Sequence, residues 1–156
     1  MTQLIEKTNI LELKQAFNSH IEGTKPFTCN NSVHCTLTLA SDRSINHAQT
    51  YVEAWMDAVA QTLRTGQHGI TYFGALFLQP CMHLHLALRT VRSRKTGQTI
   101  SRIPEAARDS LCAFWEGMAG ETARLETIYN MPGLLLYLKG NHNAGRPGQE
   151  MYFVSN

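Results

Sequence analysis

His83-Leu84-His85 sets two imidazoles two residues apart inside the apolar run Met82-His83-Leu84-His85-Leu86-Ala87-Leu88. In an extended strand successive side chains alternate faces, so His83 and His85 share one face. Met82, Leu84, Leu86 and Leu88 take the other, toward a core. Imidazoles paired on a strand face can hold a divalent metal, and a metal so held can activate phosphodiester chemistry. The same spacing also occurs on plain polar strand faces. The weight of the motif therefore rests on what the rest of the chain sets beside it.

The elements that must position these residues follow from hydrophobic spacing. Residues 2–21 carry Leu4, Ile5, Leu11, Leu13, Phe17 and Ile21 at helical intervals, which predicts an N-terminal helix, followed by a loop through Pro26, Asn30 and Asn31. Val33–Ala40 alternates Val33, Cys35, Leu37 and Leu39 with His34, Thr36 and Thr38, the pattern of a half-buried strand. Ser41-Asp42-Arg43-Ser44 is a turn and cap, and a helix is expected over Ile45–Arg64, ended by Gly66. Gly69–Leu78 is nearly continuously apolar, as in a sheet interior. After the short break Gln79-Pro80-Cys81, the histidine strand runs to about Thr90, so the two strands form an antiparallel hairpin.

Arg89–Ile103 is basic and loop-like. Pro104 opens a helix carrying Ala107, Leu111, Phe114, Trp115 and Met118, with Gly120 a candidate interruption. Glu121–Tyr129 fits either its continuation or a strand, and Leu134–Lys139 is too short to assign by period. Pro132-Gly133 reads as punctuation, and the Gly- and Asn-rich end as irregular. The sequence therefore predicts an α+β domain, with helices packed on a central antiparallel sheet. It is expected to be one domain over 1–156: N-terminal helix and loop 1–32, core 33–140, irregular tail 141–156.

Bulk properties narrow the classes. At 156 residues the chain can bury one sizeable core, and a net charge of +2 excludes a general polycation. Cys29, Cys35, Cys81 and Cys112 form no C-x-x-C pair, which argues against a zinc ribbon. No basic segment precedes an apolar block at the N-terminus, and no apolar stretch approaches membrane-spanning length. The expectation is a cytoplasmic protein with reduced thiols.

The Cys35-Thr36-Leu37-Thr38-Leu39 strand, the long helix after it, the hairpin and then His83-Leu84-His85 resemble the HUH endonuclease superfamily. Its members include rolling-circle replication initiators, conjugative relaxases and some transposases. The resemblance covers roughly residues 33–140, and its order and separations are similar to the replication-initiator type. It implies a central antiparallel sheet flanked by helices and a metal-dependent, sequence-specific nickase acting on single-stranded or origin DNA of a phage, plasmid or other mobile element. In such enzymes a tyrosine hydroxyl attacks the phosphate, leaving a 5′-phosphotyrosine and a free 3′-hydroxyl.

Carried onto this chain, the resemblance implies His83 and His85 as ligands of Mg²⁺ or Mn²⁺. A third ligand comes from Gln79, with His34 the alternative. Tyr137 is the nucleophile with Tyr129 as second choice, and Lys139 stands near it. Lys139 follows Tyr137 by only two residues, where the family pattern has one helical turn, and i and i+2 do not share a helix face. Arg89, Arg92, Arg94, Lys95 and Arg102, with Thr36 and Thr38, are the expected DNA contacts. A replication helicase of the host or element is an expected partner. Two other readings stand beside this one. The first is a non-catalytic DNA-binding regulator on the same fold. The second is a two-histidine phosphoesterase, for which His34-Cys35-Thr36 fits one H-x-[ST] copy while His83-Leu84-His85 has His where Ser or Thr belongs.

Overall fold

A computed structural model describes residues 2–6, 32–63, 70–78, 80–90, 103–138 and 149–155. Its strands are β1 (Thr2–Glu6), β2 (Ser32–Thr38), β3 (Ile70–Phe77), β4 (His83–Thr90), β5 (Ala123–Thr127) and β6 (Gln149–Ser155). Its helices are α1 (Ile45–Thr62), α2 (Glu105–Ala119) and α3 (Met131–Leu138). The strands form one six-stranded sheet in the order β1-β6-β3-β4-β2-β5, antiparallel at every pairing. The architecture is α+β, as the alternation of strand and helix patterns predicts.

One face of the sheet builds the main core. Val33, Cys35 and Leu37 of β2, Tyr72 and Leu76 of β3, and Leu84, Leu86 and Leu88 of β4 pack with Val52, Trp55, Val59, Leu111 and Trp115 of α1 and α2. Burying two indoles requires partners for their N–H groups. Trp55 Nε1 donates to the Leu111 carbonyl at 2.9 Å, and Trp115 Nε1 to the Thr38 carbonyl at 2.7 Å. The second bond pins α2 to the end of β2. Arg108 closes the start of α2 on itself and ties it to β5, its Nε donating to the Ile103 carbonyl at 2.9 Å and its Nη1 to the Leu125 carbonyl at 3.4 Å.

The helix ends follow local chemistry. Ser44 caps α1 through a reciprocal box: the His47 N–H donates to Ser44 Oγ at 3.4 Å, and the Ser44 N–H to His47 Nδ1 at 2.9 Å. Pro104 immediately precedes α2, and Gly120 ends it in the left-handed region at φ +78°.

Two segments differ from the sequence reading. Residues 2–6 of the predicted N-terminal helix are strand β1, and residues 149–155 of the predicted irregular tail are strand β6. They pair with each other, Thr2 opposite Ser155 and Glu6 opposite Met151, and β6 also pairs with β3. Local spacing misses both because each is fixed by hydrogen bonding to a segment remote in sequence. Residues 7–21 of the predicted helix, the following loop to Asn31, and Gly66 lie outside the described residues. The two open assignments resolve: residues 123–127 are strand β5, and residues 134–138 belong to helix α3.

Candidate active site

The sheet register assembles the histidine face. His83 stands between Phe77 of β3 and Thr38 of β2; His85 between Ala75 and Thr36; Ala87 between Phe73 and His34. Across β2, Thr36 faces Arg124 and His34 faces Glu126 on β5. Because neighbours in register point to the same face, His34, Thr36, Thr38, Phe77, His83, His85 and Arg89 all belong to the face away from the main core. Phe73, Ala75, Phe77 and Ala87 are nevertheless buried. This second covering explains the nearly continuous apolar run of β3.

Helix α3 packs against β3 and β4 and brings Tyr137 to this face. The Tyr137 ring lies 5.3 Å from that of His85 at 89°, and 5.5 Å from Phe77, stacked at 29°. Phe77 also stacks on His83 at 5.3 Å and 14°, and His83 meets His85 edge-on at 5.0 Å and 88°. Each such aromatic pairing adds about 0.5–1.5 kcal/mol beyond area burial, so the cluster resists rotation of any one ring.

The start of α3 makes this possible. Asn130 Oδ1 accepts from the Gly133 N–H at 3.0 Å, and the Asn130 carbonyl from the Leu134 N–H at 3.0 Å. Asn130 is thus an N-cap, and Pro132 sits in the first turn, where its missing N–H has no intrahelical partner to lose. Pro132-Gly133, read from the sequence as punctuation, lies in the first turn of this helix. Tyr129 lies before this cap, 91% exposed, and takes no part in the ring cluster.

Hydrogen bonds fix one imidazole and constrain the other. His83 Nδ1 lies 2.7 Å from the Cys81 carbonyl. A carbonyl only accepts, so Nδ1 carries the hydrogen, and in the neutral ring Nε2 keeps its lone pair. His85 Nδ1 lies 2.9 Å from His34 Nε2 and 3.3 Å from Thr36 Oγ1. Burial pushes the His34 pKa below 6.5, partly opposed by Glu126, so His34 is neutral at pH 7. A neutral His34 can accept from His85 Nδ1–H, and that tautomer leaves His85 Nε2 bare as well.

His83 and His85 therefore fit the requirement of a metal site for two unprotonated imidazole nitrogens, each backed by a hydrogen bond at the other nitrogen. His34, the alternative third ligand, instead directs Nε2 at His85. No group of three His, Cys, Asp or Glu side chains suited to a metal occurs among the described residues. Gln79 and Lys139 lie outside the described residues, as do Arg92, Arg94, Lys95 and Arg102.

Arg89 stands on the histidine face, and its guanidinium donates to Thr71 Oγ1 at 3.1 Å. Burial lowers the pKa of this half-buried guanidinium. Thr36 is committed to His85, and Thr38 flanks His83. The residues that sequence reasoning missed are Phe77, which bridges His83 to Tyr137, and Asn130, which starts the tyrosine helix. The register of the short hairpin was a usable signal for Phe77; Asn130 two residues before Pro132 was one for the cap. Compared with protein-family models, curated proteins and solved structures, the chain finds no match.

Proposed function

We propose that the chain is a metal-dependent nickase of single-stranded DNA that works through a Tyr137 phosphotyrosine, on a sheet of the HUH endonuclease kind. The observation that carries this reading is the placement of Tyr137 against His85 by a helix distant in sequence. A tyrosine, two strand-borne histidines and a flanking arginine on one face suit attack on a phosphodiester.

In this mechanism Tyr137 Oη forms a bond to phosphorus, and the bond to the 3′-oxygen breaks. The 3′-oxygen leaves as a hydroxyl once protonated, and the 5′-phosphate stays on the tyrosine. Attack by a 3′-hydroxyl on that ester reverses the step and rejoins a strand. His83 and His85 would hold a divalent ion, which when bound offsets charge building on the phosphate oxygens. Two imidazole nitrogens suit Mn²⁺ better than Mg²⁺, whose preference is for oxygen ligands. Phe77 holds the tyrosine ring in place, His34 sets the proton on His85, and Arg89 faces the strand's backbone charge.

Incubation with a pool of single-stranded oligonucleotides and Mn²⁺ tests the reading. The expected product is a covalent protein–DNA adduct that survives denaturation, is lost in Tyr137→Phe and is kept in Tyr129→Phe. An adduct that persists in Tyr137→Phe and disappears in Tyr129→Phe refutes the assignment. DNA binding with no cleavage under any divalent ion supports a regulator on the same fold.

One observation favours a second reading. His34 and Thr36, one complete H-x-T copy, both lie within hydrogen-bond distance of His85, which sets two imidazoles side by side for acid–base work without metal. Hydrolysis of a cyclic nucleotide in the presence of a chelator selects that reading.

A further inference from the structure

We propose that the cleft at the β3–β4 turn is a nucleobase subsite that prefers a base with an exocyclic amine, such as cytosine, over thymine. The proposal takes its nucleic-acid context from the nickase reading, but its own basis is the cleft. The cleft holds about 480 Å³, within the usual range of small-molecule sites. It adjoins the candidate active site through two of its lining residues. Thr38 is the register partner of His83, and the Cys81 carbonyl accepts the His83 Nδ1–H.

The walls suit a flat ring. Buried Leu39 is one of the lining residues, and its N–H donates to the carbonyl of Met82, another of them, at 2.9 Å. Leu78, Pro80 and Met82 supply apolar surface. Its polar side chains include the Ser41 hydroxyl and the Glu121 carboxylate, both on exposed residues, and the Thr38 hydroxyl. Glu121 also shares an adjoining hollow with Glu116. The Glu121 carboxylate in the lining, with Glu116 in the adjoining hollow, disfavours a phosphate there and leaves the base as the part that enters. A carboxylate accepts from an exocyclic amine, as it does from cytosine N4, whereas thymine presents an acceptor at O4.

The test titrates deoxycytidine and thymidine, nucleosides without phosphate, into ¹⁵N-labelled protein. Deoxycytidine is expected to shift the amide signals of Leu39, Ser41, Met82 and Glu121 at roughly tenfold lower concentration than thymidine, the low end of what one good carboxylate–base contact discriminates. Glu121→Gln should erase the preference, and Ser41→Trp, which fills the cleft from an exposed position, should erase the shifts. Equal response to both nucleosides, or shifts confined to other residues, overturns the proposal. Because the probes carry no phosphodiester, the two readings fail separately. Adduct formation without nucleoside shifts removes the subsite alone; nucleoside shifts without an adduct remove the nickase and keep the subsite.

Discussion

Gly74 lies in the middle of β3, paired with Leu86 of β4 and Phe153 of β6. Strand glycines usually weaken a sheet, and replacing one by alanine in ordinary strand conformation stabilises by about 0.5–1 kcal/mol. Here the sign reverses. A Cβ on Gly74 would overlap the Leu86 side chain and the His85 carbonyl oxygen and lie 2.9 Å from Leu86 Cα. Two of these atoms are backbone and cannot rotate away, so β3 and β4 must separate at His85. Overpacking of this kind costs about 1–3 kcal/mol, which outweighs the entropic gain. At about 2–4 °C per kcal/mol for a domain of this size, Gly74→Ala should lower Tm by roughly 2–12 °C. Gly117 is the internal control: it lies inside α2, and a Cβ there meets nothing within 4 Å. Gly117→Ala should therefore raise stability by up to about 1 kcal/mol. Thermal unfolding followed by circular dichroism reads both. Because the Gly74 clash falls on His85, adduct formation in Gly74→Ala should drop even at temperatures where the variant is fully folded. A Tm that is unchanged or higher in Gly74→Ala refutes the close approach of these strands.

Asn130→Ala removes the cap of α3 and should cost about 1 kcal/mol; slowed adduct formation with a small Tm change is expected, and unaltered activity would show that α3 is held by packing alone. His34 carries a pH signature. Its folded pKa lies below the unfolded value of 6.5, so below about pH 6.5 the unfolded chain binds the proton more readily and stability falls with pH until the folded pKa is passed. Unfolding by urea between pH 7.5 and 5 should show a smaller loss in His34→Gln than in the unchanged protein, and parallel profiles would contradict a buried, neutral His34.

The central hairpin and the helix after β2 were legible because each is encoded locally. The Thr-Leu-Thr alternation, the apolar run of β3 and the histidine alternation of β4 state their own faces. The short break between β3 and β4 sets their pairing. What was not legible depends on remote partners. Thr2–Glu6 and Gln149–Ser155 become strands through each other, and nothing in TQLIE alone prefers a strand to a helical turn. Tyr137 was visible as a late tyrosine. Its approach to His85 depends on where α3 starts, which is marked by the hydrogen bond that the Gly133 N–H donates to Asn130 Oδ1. The two-residue spacing of Tyr137 and Lys139 bore on a pairing between those residues; the geometry that holds Tyr137 is its stacking on Phe77.

The nickase and phosphoesterase readings differ, at the site itself, by one proton. His83 is not the variable, since the Cys81 carbonyl fixes its hydrogen on Nδ1. His85 is, because its Nδ1 faces an imidazole and a hydroxyl that can each donate or accept. With the hydrogen on His85 Nδ1, both strand histidines present bare Nε2 atoms and the face is a nitrogen donor pair for a metal. With the hydrogen on His34 Nε2, His85 accepts at Nδ1 and carries its own hydrogen outward on Nε2, where it can serve as a general acid. The first arrangement leaves His34 an acceptor, which its neutral state permits. The second needs the same neutral His34 in its other tautomer, so burial of His34 alone does not choose between them. Substitution of Tyr137 does. In the phosphoesterase reading its phenol can only donate to or accept from the phosphate, whereas in the nickase reading it must become esterified; Tyr137→Phe therefore abolishes a covalent adduct in the one and only slows hydrolysis in the other, with the ring still stacked on Phe77.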